Sequence, residues 1–310
     1  MRTNEKEVLG GKRRFLEIRC HVLRLIRAFF EGEGFLEVQT PLLTAAPAPE
    51  AHISPIAAGP SHFLSTSPEL HMKRLLAAGF EKIFQITRAF RAGERGRFHH
   101  PEFTILEWYR SGADYKDLQR DCQKLVRFIC GSLAQGEGFV FCGTRLDFEG
   151  RWESLSVRQA FQKFAGWDPG PGPDEDRFDL DMSLKVQKNL GFPTPCILED
   201  YPATLAALAR IKPEEPEVAE RFELFWAGVE LANGFSELTD PREQRLRFSA
   251  ALETKTRLEQ TVYPMPEQFL SSLENLPPCA GIAFGVDRFV MLVSGAGSLD
   301  DVVAFEPETA

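Results

Sequence analysis

The sequence predicts an α+β fold in a single domain spanning residues 1–310. Residues 82–90 and 101–109 both read as strands and are joined by a polar loop, as in an antiparallel hairpin. Segments with helical periodicity lie between the predicted strands, without the regular strand–helix alternation of a doubly wound parallel sheet. The expected architecture is therefore a mixed, mainly antiparallel sheet flanked by helices.

Helices are predicted where apolar side chains recur at helical spacing. One such stripe covers residues 13–31, and a second helix is predicted over 114–133. Residues 1–12 are polar and charged and are expected to be a flexible N-terminus. A serine and a proline open a third helix at Ser67, where the nearby Glu69 either complements the helix dipole or contacts a ligand.

The secondary structure of the second half of the chain is predicted from residues that interrupt helices and strands and from the pattern of charged residues. Residues 168–181 are rich in Gly, Pro and Asp and are expected to form a surface excursion. Residues 241–260 read as a charged helix, and 263–278, with four prolines, as a loop. A glycine-spaced strand at 281–285 is predicted to run into a helix at 286–292.

The composition argues against a general nucleic-acid-binding protein, a membrane-spanning protein and a secreted protein. The 36 Lys and Arg residues against 45 Asp and Glu residues give a net charge of −9, which disfavours a general nucleic-acid-binding surface. No apolar run reaches the ~18–20 residues of a membrane span, and the charged start does not read as a signal peptide. The six cysteines form no C-x-x-C pair, which predicts reduced thiols and a cytoplasmic protein.

An Asn-Gly pair is the clearest local turn signal in the chain. It predicts a two-residue hairpin turn at Asn233-Gly234, in which Glu230 lies directly opposite Glu237. Two glutamates across a ladder repel each other, so a divalent cation, best Mg²⁺, is expected to bridge them. The alternative is a register shifted by one residue with both glutamates in solvent, and the hairpin alone does not distinguish the two.

The loop of residues 91–100 carries three arginines, two histidines and a glutamate around two glycines. Arginine forks recognise phosphate oxygens, although a solvated charged loop would have the same composition. The tandem His99-His100 has no third ligand at a useful spacing, so a metal site in this loop is not expected.

Two further patterns fit a binding pocket. Gly281 and Gly285 allow a ligand to approach the backbone closely, and Arg288 lies in the first turn of the following helix, where an anion would also meet free N–H groups. Glu107 and Tyr109 lie two residues apart on a predicted strand and so share one face, which suits either a core edge or a pocket wall.

Taken in chain order, these segments resemble the three motifs of class II aminoacyl-tRNA synthetases, and within that family they are most similar to the lysyl-tRNA synthetases. The resemblance runs from about residue 13 to the end and implies the fold of the class II catalytic core. Motifs 1, 2 and 3 are matched by the segments at 35–41, 90–109 and 281–288, and the lysyl-type signatures by those at 67–75, 99–104 and 228–238.

Lysyl-tRNA synthetases have an N-terminal OB-fold domain that binds the anticodon, whereas only twelve residues precede the first predicted helix here. The chain is therefore most similar to the short paralogues that ligate (R)-β-lysine to a lysine of translation elongation factor P. Ser67 stands where lysyl-tRNA synthetases have Ala, and Ala283 where they have Gly. The resemblance implies ATP and Mg²⁺ as cofactors, (R)-β-lysine and elongation factor P as partners, no tRNA, no membrane, and a homodimer formed through motif 1.

The family's roles carry over residue by residue onto matching positions. The resemblance implies that Arg91, Arg288 and Glu237 are catalytic and that Glu230 and Glu237 hold Mg²⁺. It implies an ATP site that consists of Arg91, Glu94, His100, Phe103, Glu230, Leu231, Gly285 and Arg288. It implies an amino-acid site that consists of Ser67, Pro68, Glu69, Tyr109, Asn233, Phe235, Glu237 and Ala283.

The implied reaction has two steps: the carboxylate of the amino acid attacks ATP to form an adenylate, and the ε-amine of the acceptor lysine then displaces AMP. Two alternatives stay open on the sequence. One is a truncated lysyl-tRNA synthetase-like enzyme that activates α-lysine, against which the missing OB domain and the residues at 67 and 283 argue. The other is a non-catalytic regulatory paralogue, against which the intact Arg91, Glu230, Glu237 and Arg288 argue.

Overall fold

The structure, a computed structural model, describes residues 5–134 and 138–309. Its strands are β1 (Leu36–Glu37), β2 (Leu43–Thr44), β3 (Phe63–Leu64), β4 (Lys82–Phe90), β5 (Glu102–Ser111), β6 (Phe139–Phe141), β7 (Thr144–Leu146), β8 (Glu153–Ser156), β9 (Cys196–Pro202), β10 (Val218–Trp226), β11 (Val229–Ser236) and β12 (Cys279–Gly285). Its helices are α1 (Glu5–Gly32), α2 (Glu69–Ala77), α3 (Tyr115–Leu133), α4 (Val157–Phe164), α5 (Glu175–Asp181), α6 (Pro241–Arg257), α7 (Glu267–Ser272), α8 (Val286–Ser294) and α9 (Leu299–Val302).

One large sheet organises the described chain, with the strand order β1-β4-β5-β12-β11-β10-β9-β8. The outermost neighbours, β1 with β4 and β8 with β9, are parallel, and the pairs between them are antiparallel. The predicted hairpin of β4 and β5 is confirmed, with Lys82 opposite Arg110 and Phe90 opposite Glu102. The α+β class and the mainly antiparallel mixed sheet are thus confirmed.

The alternation of side chains along the central strands gives the sheet two different faces. Trp108 of β5 and Phe284 of β12 are buried in a core that α1, α3 and α8 complete. Glu107 and Tyr109 adjoin Trp108 along the strand and therefore point to the opposite face. Helices α2, α6 and α7 cover part of that face around Tyr109. The apolar face builds the core, and the mixed face is left to build a site.

Several element boundaries differ from the sequence expectation. The first helix begins at Glu5 instead of residue 13. Its additional N-terminal turns are rich in charged residues, so the apolar stripe that predicted the helix does not extend into them. The segment 263–278, predicted as loop, contains α7, because Pro266 immediately precedes its first residue, where a missing N–H costs nothing. Helix α3 is confirmed, and Asp114 caps it with hydrogen bonds from two backbone N–H groups. The excursion at 168–181 is mostly exposed and contains α5.

The hairpin turn predicted at Asn233-Gly234 is wrong. Both residues lie inside β11, where Asn233 is opposite Glu223 of β10. The turn lies at Ala227-Gly228, and both residues have a positive φ, 52° and 73°, as a tight two-residue hairpin turn requires. The Asn-Gly signal failed because tertiary packing demands Gly234 for another reason.

Gly234 is fixed by the packing of neighbouring strands. A Cβ at this position would lie 2.8 Å from the Phe222 ring, closer than real Cβ contacts, and 3.0 Å from the Ile282 side chain, which is also a tight contact. Glu230 lies in β11, and Glu237 directly follows its last residue, Ser236. Seven positions at a rise of ~3.3 Å span roughly 23 Å, so the two carboxylates do not face each other across a ladder.

The six cysteines are free thiols, as their spacing predicts. Across residues 5–134 and 138–309, no helix combines the length and the apolar character needed to cross a membrane.

Candidate active site

The mixed face of the sheet holds a cavity of about 240 Å³, called here the central cavity. Strands β5, β11 and β12, the start of α2 and the 91–100 loop contribute to its wall. The structure brings most of the predicted site residues together on this wall: Ser67, Glu69, Arg91, Glu94, His100, Phe103, Tyr109, Glu230, Leu231, Asn233, Phe235, Ala283, Gly285 and Arg288. Pro68 instead precedes the first turn of α2, and Glu237 is buried behind the wall.

Glu107 lies at the centre of the acidic end of the cavity. Its side chain accepts a hydrogen bond from the Ser67 hydroxyl at 2.6 Å and another from the Tyr109 hydroxyl at 2.8 Å. Burial, followed by the nearby Glu69 carboxylate, raises the pKa of Glu107 to about 8 despite these two donors. The carboxyl group is only 1% exposed, so its two partners hold it in one orientation.

Lys73 supplies the cation of the acidic end. Its ammonium contacts Glu69 at 2.5 Å and forms a second close ion pair with Glu237, and the lysine is 1% exposed. Burial lowers the pKa of Lys73, but the two carboxylates outweigh burial and raise it above its ordinary value. The spacing of Glu69 and Lys73, four residues apart on α2, is the sequence signal for this pair, and sequence reasoning missed it.

Glu237 is reached from the cavity past Gly281. A Cβ at Gly281 would overlap both the Tyr109 ring and the Glu237 carboxylate, so only glycine fits here. Burial raises the pKa of Glu237 to about 8, while Lys73 opposes the shift. The glycine thus lets a buried carboxylate lie directly beneath the cavity floor.

The opposite end of the central cavity is lined by arginines. The Arg91 guanidinium lies 5.0 Å from the centroid of the Phe103 ring and 3.8 Å from the Glu94 carboxylate. Its Nε is buried without a hydrogen-bond partner. A buried N–H without a partner costs free energy, so this group is ready to bind an anion. His100 differs, because its Nε2 is 2.8 Å from Asp300 at the start of α9.

Arg288 is already held by the protein. Its side chain donates to the main-chain carbonyls of Phe98 at 3.0 Å and Glu230 at 2.9 Å. It also lies 3.3 Å from the Glu230 carboxylate and 2.7 Å from the His99 ring nitrogen. Burial and the adjacent guanidinium lower the pKa of His99, which keeps its ring neutral and able to accept that hydrogen bond. The Arg288 guanidinium is therefore fixed in orientation, and few of its N–H donors remain free.

A pair of carboxylates does lie near the arginine end, but it is Glu223 with Glu230. Burial, followed by the Glu230 carboxylate, raises the pKa of Glu223 to about 7. Arg221 holds Glu223 at 2.7 Å. The predicted partner, Glu237, is instead engaged by Lys73. Sequence reasoning missed Glu223 because the wrong hairpin turn placed it outside the ladder.

The carboxylates near the arginine end form a partial ligand set for a divalent cation. Within residues 5–134 and 138–309, no group of three or more His, Cys, Asp or Glu side chains is arranged to hold a metal. Two carboxylates completed by phosphate oxygens and water are nevertheless a usual Mg²⁺ arrangement. Glu223 and Glu230 fit that arrangement, since the Glu230 carboxylate helps to raise the pKa of Glu223 and a cation between the two would favour the ionised form of Glu223. Glu237, in an ion pair with a buried lysine, does not.

Helix α1 supports the site from behind. Arg19 donates to the Asp287 carboxylate at 2.5 Å and to the Thr104 hydroxyl at 2.6 Å. Asp287 also accepts a hydrogen bond from the Thr104 backbone N–H at 2.8 Å. These contacts join the first helix to β5 beside Phe103 and to the helix that carries Arg288. No sequence signal indicated Arg19, because its partners are distant along the chain.

Comparison with known proteins is in accord with this site. The family described as tRNA synthetases class II (D, K and N) matches residues 10–309. Proteins named elongation factor P (R)-β-lysine ligase are 39% identical in Klebsiella pneumoniae (strain 342), 39% in Vibrio cholerae serotype O1 and 38% in Sodalis glossinidius, each over 94% of both chains. Because the match extends over nearly the whole chain, the protein belongs to the class II tRNA synthetase family of the D, K and N type.

Proposed function

We propose that this protein is an ATP-dependent ligase that activates (R)-β-lysine as an adenylate and transfers it to the ε-amine of a lysine on elongation factor P. The observation that carries the proposal is the polarity of the central cavity, which has arginines at one end and buried carboxylates at the other. A diamino acid that presents its carboxylate to a bound triphosphate matches that polarity. The relatives that bear this name support it.

The acidic end is suited to a dication. Glu69, Glu107 and Glu237 are buried around a single buried ammonium, that of Lys73. The carboxyl groups therefore outnumber the cation, and two of them have a pKa raised to about 8. Ammonium groups of a substrate would favour their ionised forms and be attracted to them in a site with little water.

The arginine end is suited to the triphosphate. Arg91, with its unpartnered Nε, would bind the α-phosphate, and the fixed Arg288 would bind the γ-phosphate. The adenine would stack on Phe103, and Gly285 leaves room for it at the N-terminus of α8. Glu223 and Glu230 would hold Mg²⁺, which neutralises phosphate charge when bound.

Both steps then depend on position and charge. In the first, the carboxylate of the amino acid attacks the α-phosphorus, the bond to the β-phosphate breaks and pyrophosphate leaves. The arginines offset the charge that develops on the oxygens. In the second, the acceptor amine attacks the adenylate carbonyl, a C–N bond forms and AMP leaves. Neither step requires a side chain as covalent nucleophile.

Selectivity for the β-amino acid is assigned to Ser67 and Ala283. Ser67 fixes Glu107 through its hydroxyl, and Ala283 is opposite Glu107 across the β5–β12 ladder. One hydroxyl and one methyl therefore border the same carboxylate. Differences of this size in a packed pocket change discrimination by ~1–3 kcal/mol.

The test is ATP–pyrophosphate exchange without tRNA, comparing (R)-β-lysine with L-α-lysine. The wild type is expected to prefer (R)-β-lysine. The double variant Ser67→Ala/Ala283→Gly should lose about 10–100-fold of that preference, whereas Ser132→Ala, an exposed serine on α3, should keep it. Preference of the wild type for α-lysine would contradict the proposal, and exchange with neither amino acid would favour a non-catalytic paralogue.

The homodimer and the cytoplasmic location stay proposals of the same kind. Exposed leucines directly after α1, namely Leu36, Leu42 and Leu43, provide apolar surface for a second copy. Light scattering at micromolar concentration should give twice the chain mass, and a monomeric mass would contradict the dimer.

A further inference from the structure

Glu50 lies in a loop that is fastened on both sides. The Tyr263 hydroxyl donates to the Ala48 carbonyl at 2.9 Å, and the Lys255 ammonium donates to the Ile53 carbonyl at 2.6 Å. Tyr263 and Lys255 are both buried. The backbone on either side of Glu50 is therefore fixed by groups from the far end of the chain. Such anchoring gives the carboxylate a defined place although it is part of a loop.

That place is the junction of two cavities. A second cavity of about 650 Å³, called here the side cavity, adjoins the central cavity. Both walls share the same set of residues: Glu50, Ile53, Ala207, Leu208 and Asn233. Glu50 is the titratable residue of this shared wall. A group that moved from the side cavity into the central cavity would meet its carboxylate on the shared wall.

The charged side chains that line the side cavity favour the entry of a cationic group. Glu175 and Asp179 of α5 line it and are exposed, while Arg247 on the same wall is engaged by the Ala207 carbonyl at 2.8 Å and by Glu243. Arg221 is likewise engaged by Glu223. The exposed Arg257 is the remaining cation of that wall. A lysine side chain of a partner protein suits this route.

Within the described residues, the Glu50 carboxylate makes no ion pair or hydrogen bond comparable to those of Glu69, Glu107 and Glu237. The charged groups that act on it come from four elements: Glu69 of α2, Arg91 after β4, Lys255 of α6 and Arg221 of β10. Burial, followed by Glu69, raises the pKa of Glu50 to about 7, while the three cations oppose the shift. A carboxylate in this condition can both take up and release a proton near neutral pH.

We propose that Glu50 is the general base of the transfer step, taking the proton from the ε-ammonium of an acceptor lysine that arrives through the side cavity. This inference rests on the proposed function. The ammonium gives one proton to the Glu50 carboxylate, and the resulting amine attacks the adenylate carbonyl. As the C–N bond forms and the C–O bond to AMP breaks, the second proton leaves with the AMP phosphate or to water. Glu50 then releases its proton to solvent.

The first experiment separates the two steps. Enzyme loaded with the adenylate is mixed with acceptor protein, and amide formation is followed in a single turnover, alongside pyrophosphate exchange on the same samples. Glu50→Gln should slow transfer by ~100-fold or more, while exchange falls far less. Glu253→Gln, an exposed carboxylate on α6 outside both cavity walls, is the matched control.

Hydroxylamine supplies a readout that a structural role would not affect. Its amine is neutral at pH 7 and needs no base before it attacks the adenylate. The Glu50→Gln enzyme should therefore react with hydroxylamine within about threefold of the wild-type rate while it remains slow with the acceptor lysine. Equal slowing with both nucleophiles would overturn the proposal.

The pH profile gives the third readout. Wild-type transfer should rise through pH ~7 and then level off, because Glu50 must be ionised to accept the proton. In Glu50→Gln the rate should instead rise tenfold per pH unit up to ~pH 10, following the free amine. A variant that transfers at the wild-type rate, or one whose only defect is a raised KM for the amino acid, would overturn the inference. Failure of the wild type to form any adenylate would instead overturn the proposed function.

Discussion

The two ends of the central cavity hold their charges in different ways. At the acidic end, Glu107 and Glu237 are fully buried and fixed by Ser67, Tyr109 and Lys73. At the arginine end, the side chains are partly exposed, and Arg288 is held largely by main-chain carbonyls. One end is a closed network of side chains, and the other is a set of cations oriented by the backbone.

This difference predicts how each end of the cavity responds to a substitution. A closed network of buried groups tolerates few changes, because any group left without its partner pays the full cost of desolvation. Cations held on backbone carbonyls keep their direction whatever the neighbouring side chains are, which suits an invariant ligand such as a triphosphate. We therefore expect the acidic end to be the part of the site that distinguishes substrates, and the part in which substitutions cost most.

The largest expected effect is at Lys73. Lys73→Met leaves Glu69 and Glu237 buried without their cation, and we expect a loss of ~3–5 kcal/mol in the free energy of unfolding. The matched control is Lys163→Met, because Lys163 forms an exposed pair with Glu153 at 3.1 Å. Its loss should be below ~1 kcal/mol. Urea denaturation measures both, and similar small losses for the two variants would show that the acidic end is not the closed network described.

A smaller effect is expected from two glycines of the same strand. Gly281→Ala forces a methyl into Tyr109 and Glu237 at the acidic end, whereas a Cβ at Gly285 meets ordinary contacts, with Arg288 at 3.5 Å. The first variant should cost ~1–3 kcal/mol in stability and raise the KM for the amino acid, and the second should cost less than half as much. Equal costs in thermal denaturation and equal KM values would remove the contrast between the two ends.

The smallest expected effect, when it is expressed per pH unit, is on the pH dependence of stability. The pKa of Glu107 is about 8 in the folded protein, against an ordinary value of 4.5. Between these values the folded state holds a proton that the unfolded chain lacks, so the free energy of unfolding should fall as pH rises from 5 to 8. The slope is at most ~1.4 kcal/mol per pH unit for each such group.

Glu107→Gln should reduce this slope in the ligand-free protein, since its amide stays neutral throughout. Glu102→Gln, on the exposed part of the same strand, should leave the slope intact. Urea titrations at several pH values test both variants. A wild-type stability that rises with pH over this range would contradict the raised pKa of the buried carboxyl groups.

Long, periodic elements and contiguous motifs were the parts that the sequence could predict. The hairpin of β4 and β5 was predicted from two strand-like segments joined by a polar loop. Arg91, Phe103 and Arg288 were predicted because each lies within a motif that is continuous along the chain, and all three line the central cavity. The turn at Ala227-Gly228 was missed because an alanine with positive φ carries no sequence signal. The competing Asn233-Gly234 pair was misleading, because packing against Phe222 and Ile282 explains its glycine.

The groups missed at the site have a common cause. Lys73, Glu223 and Glu50 each interact with residues that are distant in sequence or on a neighbouring strand. Burial raises the pKa of Glu223 and of Glu50, whereas the carboxylates of Glu237 and Glu69 raise the pKa of Lys73 against the effect of burial. Local patterns report the face on which a residue lies, but not which charges meet there. The carboxylate pair shows this limit, since the predicted hairpin placed Glu237 opposite Glu230, whereas the carboxylate that acts on Glu223 of β10 is that of Glu230.

The contacts of Arg19 make the first helix a structural support of the site, although no side chain between Glu5 and Gly32 lines the central cavity. A shift of that helix along its axis would be passed through Asp287 to the turn bearing Arg288, and through Thr104 to the ring of Phe103. The arginine end is thus mechanically coupled to a helix on the surface. A partner that binds α1 from outside would therefore change how rigidly the segments that carry Arg91 and Arg288 are held relative to each other.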